Sequence, residues 1–309
     1  MSDSRDIGYA IFGVGFGVWY FFHGLGVLRK KRLIESIPTS TIRGLAIGLV
    51  ELNGKAKKTK TLQAPLTGVE CTFYRYTVER LESSGRSSKW VTIAQGDSVF
   101  SPFCLDDSTG QILVLPKGAE FVMPPDYSFT TSLGSGLPDN LVSFMEKSGL
   151  QYKGLFGNYT LRFHEWHILP DEPVFVVGTA QKNNTILDEH REELNKRLQD
   201  VKQFVQQPTD ANLLDAGGFG IEGWKRAEAN AEHELLQQEV GSNPRQDIEI
   251  DVIIAKGDDG QVFIVSDESQ AEVFKSFSWQ ALCGIWGGSA LSLALLAYLL
   301  FRLGVWAKF

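Results

Sequence analysis

Two long apolar runs interrupt an otherwise alternating chain. Residues 7–28 read IGYAIFGVGFGVWYFFHGLGVL and residues 281–301 read ALCGIWGGSALSLALLAYLLF, both without a charged side chain. At about 1.5 Å of helical rise per residue, each covers about 30 Å, the thickness of a bilayer's hydrocarbon core. They predict transmembrane helices over 7–28 and 281–301. The alternatives are a cleaved leader for the first and a buried core helix for the second. A leader fits poorly: Met1 to Asp6 is not basic, and the positive charge follows the run. Trp19, Tyr20, Trp279, Trp286, Tyr298 and Trp306 read as interfacial anchors.

Between the runs the period switches to two. Strands are predicted at 48–52, 70–78, 89–94, 111–115, 159–169, 174–179, 248–255 and 262–265. Gly54, Pro65 with Gly68, Ser83 to Ser88, Asp106 to Gly110, and Pro170 with Pro173 read as turns. Pro38 is suited to open a short helix that Gly44 closes. Another short helix is predicted at 138–147, with Leu141, Phe144 and Met145 facing inward, and one from Glu268 to Phe277 leading into the second span. Leu187, Leu194, Leu198, Val201 and Val205 fall at helical spacing, as do Trp224, Ala227, Ala231 and Leu235. These two stripes predict a helical hairpin inserted at about 183–242. The expected class is α+β: a mostly antiparallel β domain over 36–278 with that hairpin inserted, flanked by the two spans.

A net charge of −7, spread rather than blocked, argues against nucleic-acid binding, which wants a basic patch. Three cysteines without a CxxC, and five histidines, give no metal-ligand spacing. His164 and His167 are three apart on a strand-like segment, so a zinc-protease reading, which needs four on a helix, is rejected. Asp106 and Asp107 read as a turn rather than a catalytic pair. The loop from Asp215 to Ile221 looks like a worn calcium-binding loop, with Gly217 and Phe219 where oxygen ligands belong; a structural turn is the preferred reading. No cofactor, metal or catalytic set is expected, and the chain is not expected to be an enzyme.

Within the spans, Gly13 and Gly17 lie four apart, as do Gly284 and Gly288. That spacing lets helix backbones approach, within one chain or between copies. Glycine is also simply common in membrane helices. Arg29, Lys30, Lys31 and Arg32 cluster just past the first run and are expected to contact the membrane surface or a partner. With Lys275, they place the domain in the cytoplasm of a bacterial inner membrane protein, although Arg302 and Lys308 lie on the other side.

Several segments in order resemble the GIDE domain, also called the BAM ("beside a membrane") domain. They are Pro38–Gly54, Ala64–Gly68 running into Cys71 and Tyr74–Tyr76, Phe103–Asp107 with Gly110, Val114 and Pro116–Ala119, Glu165-Trp166 before Leu169-Pro170, Val176–Gly178 and Ile264–Ser266. The resemblance spans most of 36–278 outside the hairpin. Its best-known members are mitochondrial ubiquitin ligases, MULAN or MAPL, with the plan helix, GIDE domain, helix, then a zinc-binding RING. These 309 residues hold no Cys/His array onto which a RING could be carried. The resemblance therefore implies a RING-less, prokaryotic-type member. Its expected role is a binding or scaffold module at a membrane surface, in envelope or membrane-stress homeostasis. Lipids, an unidentified protein and a second copy are the expected partners. The rival is a ubiquitin-transferase component that takes its RING from another chain.

Overall fold

The computed structural model describes residues 2–84, 87–131, 135–150, 152–154, 157–183, 186–206, 229, 233, 236–237, 251–257, 261–267 and 270–302. The helices are α1 (Ser2–Glu35), α2 (Asp139–Lys147), α3 (Ile186–Gln206), α4 (Gln270–Leu282) and α5 (Gly288–Arg302), with a π-helical turn, Cys283–Gly287, joining the last two. The strands are β1 (Gly48–Lys57), β2 (Leu62–Gln63), β3 (Glu70–Cys71), β4 (Phe73–Ser84), β5 (Ser87–Asp97), β6 (Phe103–Asp106), β7 (Gln111–Val114) and β8 (Glu120–Phe121). Next come β9 (Tyr127–Thr130), β10 (Lys153–Gly154), β11 (Gly157–Asn158), β12 (Leu161–Ile168), β13 (Pro173–Lys182), β14 (Val252–Ala255) and β15 (Ile264–Ser266). The fold is α+β and mostly antiparallel. Two units divide the chain: Met1–Pro38 with Glu268–Phe309, and Thr39–Asp267.

In the second unit the largest sheet closes on itself. β1 pairs with β13 along Gly48–Lys55 and with β6 at Lys55–Lys57. β6 pairs with β7, β7 runs parallel to β14, and β14 returns to β13. β15 continues the sheet beside β13, and β8 beside β15. Closure removes the exposed edges of the ring. Alternation then sorts the side chains: Val50, Leu52 and Ala56 of β1, Leu105, Val114, Val174, Val176 and Ile254 fill one core.

Gly54 and Gly178 occupy inward positions where a side chain has no room. A Cβ on Gly54 would lie 2.7 Å from the Asp106 carbonyl oxygen, and one on Gly178 would lie 2.7 Å from Ile254 Cγ2. Gly54 is thus inside a strand rather than at the turn its identity predicts. The helix expected from Pro38 to Gly44 is also corrected. Thr39 forms a parallel bridge with Glu51, and only Ile42–Gly44 makes a 3-10 turn.

A second sheet runs β5-β4-β12-β9, all antiparallel, with α2 over one face. Leu141, Phe144 and Met145 of α2 pack with Tyr76, Val78, Leu161 and Phe163, as the helical stripe predicts. α3 lays Ile186 and Leu187 against Leu113, Leu115, Ile253 and Ala255 on the outer face of β7 and β14. Farther along, Leu194 and Val201 pack with Ala229 and Leu236. The rest of the predicted second hairpin arm, residues 215–221, residues 248–250 and residues 258–260 lie outside the described residues.

Candidate membrane anchor and binding surface

The first unit is a pair of antiparallel helices. Two stretches, Ile7–Glu35 and Phe277–Arg302, are long and apolar enough to cross a membrane. Their outward side chains are large and apolar: Phe12 is 76% exposed and Leu293 66%, a pattern that water disfavours and lipid accepts. α1 continues unbroken through the basic cluster to Glu35, well past the predicted limit at residue 28. Trp19 and Tyr20 fall near the middle of the Ile7–Glu35 stretch. Trp19 stacks with His23, ring centroids 5.7 Å apart.

The helices touch through glycine. A Cβ on Gly288 would lie 2.6 Å from the Gly17 carbonyl oxygen, and one on Gly284 would lie 2.6 Å from Gly24 Cα. One on Gly17 would lie 2.9 Å from the Gly288 carbonyl oxygen and would overlap the Ser292 hydroxyl. One on Gly13 would meet only the end of the Leu295 side chain, which can turn aside. Across the same seam the Ser292 hydroxyl donates to the Val14 carbonyl at 3.3 Å. All four glycines singled out in the sequence thus lie at this contact. Gly24 was missed. Its signal was present, since it stands seven residues after Gly17, two turns along the same face. The π-helical turn contains Gly284, one of the glycines packed against α1.

The four basic residues do not behave alike. Lys31 pairs with Glu35 at 3.1 Å. The Lys30 ammonium stands 5.2 Å over the Phe277 ring. Arg29 and Arg32 are exposed, and so is Lys275 on α4.

In the second unit, charged side chains are spent on holding loops. Glu165 on β12 is fully buried. Its carboxylate accepts the Leu66 amide at 2.6 Å, the Thr67 amide at 3.0 Å and the Thr67 hydroxyl at 2.5 Å. The Asn140 side-chain amide donates to the Leu66 carbonyl at 2.8 Å. Asp107 accepts from the amides of Ile42, Thr109 and Gly110. Partial burial pushes its carboxyl up, but these hydrogen bonds outweigh burial and hold it below the ordinary carboxylate value. The Asp106-Asp107 pair is a turn element. His164 and His167 lie three apart on a regularly paired strand, so they point to opposite faces. Among the described residues, no group of three or more His, Cys, Asp or Glu could hold a metal ion.

Comparison with known families agrees with this arrangement. The GIDE family model, described as E3 Ubiquitin ligase, matches residues 74–194. That stretch runs from β4 into α3 and contains Asp107 and Glu165. The Pro38–Gly54 and Ala64–Gly68 segments lie outside it. The stretch that matches the GIDE family model therefore lies between two helices long and apolar enough to cross a membrane. No curated protein and no solved structure matches it.

Proposed function

We propose that this chain is a two-span membrane protein whose GIDE domain is a non-enzymatic binding or scaffold module at the membrane surface. The observation that carries it is the GIDE match at 74–194 lying between two spans. Two crossings return the chain to its starting side and leave the domain on one face. The excess of Lys and Arg beside the domain supports a cytoplasmic face in a bacterial inner membrane. The role fits envelope or membrane-stress homeostasis, without nucleic acid and without a cofactor. α3 supports an unidentified protein partner, since it is covered on one side and carries exposed polar side chains on the other. The glycine seam also suits a second copy.

Photo-crosslinkers placed at exposed Glu192 and Lys196, in cells, test the role. A single recurrent adduct at these sites, absent from a crosslinker at Gln111, supports it; no adduct from either α3 position overturns it. Single cysteines in the hairpin and near each terminus, labelled with an impermeant reagent, test the orientation. Labelled termini support a cytoplasmic domain, and a labelled hairpin reverses it.

The second reading, a ubiquitin-transferase component that borrows a RING, is favoured by the matched family's description. Purified full chain, incubated with activating and conjugating enzymes, ubiquitin and an added RING protein, decides it. Chain-dependent transfer favours the second reading, and its absence favours the first.

A further inference from the structure

We infer that Arg29, Arg32 and Lys275 form a surface for the phosphate groups of anionic phospholipids on the domain side of the membrane. This rests on the membrane placement proposed above and adds a ligand class and a residue set to it. The antiparallel register sets the depth of each cation. Gly13 stands opposite Leu295, Gly17 opposite Gly288, Gly24 opposite Gly284, and Lys30 opposite Phe277. Continued by two residues, that register brings Lys275 level with Arg32. The three cations therefore lie within about one helical turn of one another along the axis, about 5 Å. They mark one plane.

The plane falls at headgroup height. The twenty or so residues of α1 before Arg29 cover about 30 Å, one hydrocarbon core. Trp279, 66% exposed and one turn from Lys275 toward the apolar stretch, sits where an interfacial anchor belongs. The neighbouring lysines are otherwise engaged: Lys31 with Glu35 and Lys30 with Phe277. Arg29, Arg32 and Lys275 are left exposed at a depth where the abundant anion is lipid phosphate.

The test uses the full chain in nanodiscs of phosphatidylcholine with a minor fraction of phosphatidylglycerol. Native mass spectrometry counts the lipids retained when the protein is released. The wild type is expected to retain phosphatidylglycerol well above its share, and to lose the excess in about 1 M salt, where the Debye length is about 3 Å. Arg29→Gln/Arg32→Gln/Lys275→Gln is expected to lose the excess by about fivefold per cation. Lys31→Gln and the charge-keeping Arg29→Lys/Arg32→Lys are expected to keep it. Retention in proportion to the mixture, or equal loss in Lys31→Gln, overturns the inference while leaving membrane insertion intact. Failure of the wild type to enter nanodiscs of phosphatidylcholine alone overturns the membrane reading, and this inference with it.

Discussion

The Glu165 carboxylate grips the Leu66 amide at 2.6 Å, joining two segments 99 residues apart in the chain. Removing the carboxylate takes the acceptor away from the buried Leu66 amide and the half-buried Thr67 amide, and a buried donor left unpaired is costly. Glu165→Ala is expected to destabilise the domain by about 3 kcal/mol. That lowers its melting temperature by about 2–4 °C per kcal/mol for a domain of this size. Thr67→Ala, which removes one hydroxyl donor, should cost about 1 kcal/mol. Melting of the full chain followed by near-UV circular dichroism checks both. An unchanged melt for Glu165→Ala would show that the loop is held by other means.

Glycines of the two long helices sort by what a Cβ would meet. Gly24→Val and Gly288→Val place methyl groups against backbone, which cannot turn aside, and should separate the helices. Gly13→Ala meets a movable leucine methyl and should be tolerated. Gly15→Val has nothing within 4 Å and should be silent. Oxidative crosslinking of cysteines placed at positions 14 and 292, in a background lacking the native ones, measures the separation. Equal yields for Gly288→Val and Gly15→Val would refute the seam.

His190 gives the docking of α3 a pH dependence. Its Nε2 lies 2.9 Å from the Phe100 carbonyl, and its ring centroid is 5.6 Å from that of Phe100. Burial lowers its pKa below the ordinary 6.5, and the charge of Lys117 adds to this, against the Phe100 carbonyl and Glu193, which raise it. The undocked helix therefore binds more protons as the pH falls. The contribution to docking is complete above 6.5 and is lost as the pH drops through the depressed folded value. Protection of α3 amides, relative to their intrinsic exchange rates, should fall as the pH drops from about 7.5 to about 5, and His190→Phe should flatten the change. An unaltered pH profile in that variant would assign the effect elsewhere.

Cysteine reactivity follows burial. The Cys71 thiol is pushed up to about 12 by burial, then by the charges of Glu165 and Glu70. Cys104 is also raised, mainly by burial and then by Asp106. The thiolate is the nucleophile, so at pH 7.5 Cys71 should resist alkylation in the native protein and react at once in denaturant. Peptide mass mapping after a timed iodoacetamide pulse reads this. Rapid native labelling of Cys71 would contradict its burial.

Hydrophobic period alone located both long helices, α2, α3 and the main strands, because each repeats its signal over enough residues. It located neither the four-residue strands β6 and β9, nor the two-residue strands β2, β3, β8, β10 and β11 as separate elements, nor the closure of the largest sheet. A two-residue strand has no period, and pairing partners are chosen by contacts across the fold. Gly54 shows the limit: its identity suggested a turn, and only the Asp106 carbonyl beside it explains a glycine within a strand. Glu165 was visible as part of a family pattern, but nothing local says that a strand glutamate is buried.

What the sequence determined by itself is the division of this protein into two apolar helices and a β-rich domain. That division depends on how each stretch partitions between water and an apolar phase, a property of side chains taken in order. What only the tertiary structure decided is which residues act together: Gly24 with Gly284, Glu165 with Leu66, Ile42 with Asp107, and Arg29 and Arg32 apart from Lys30 and Lys31. Those choices depend on distances of a few ångströms between segments far apart in the chain. Packing and hydrogen bonding are short-ranged, so no pattern along the chain encodes them.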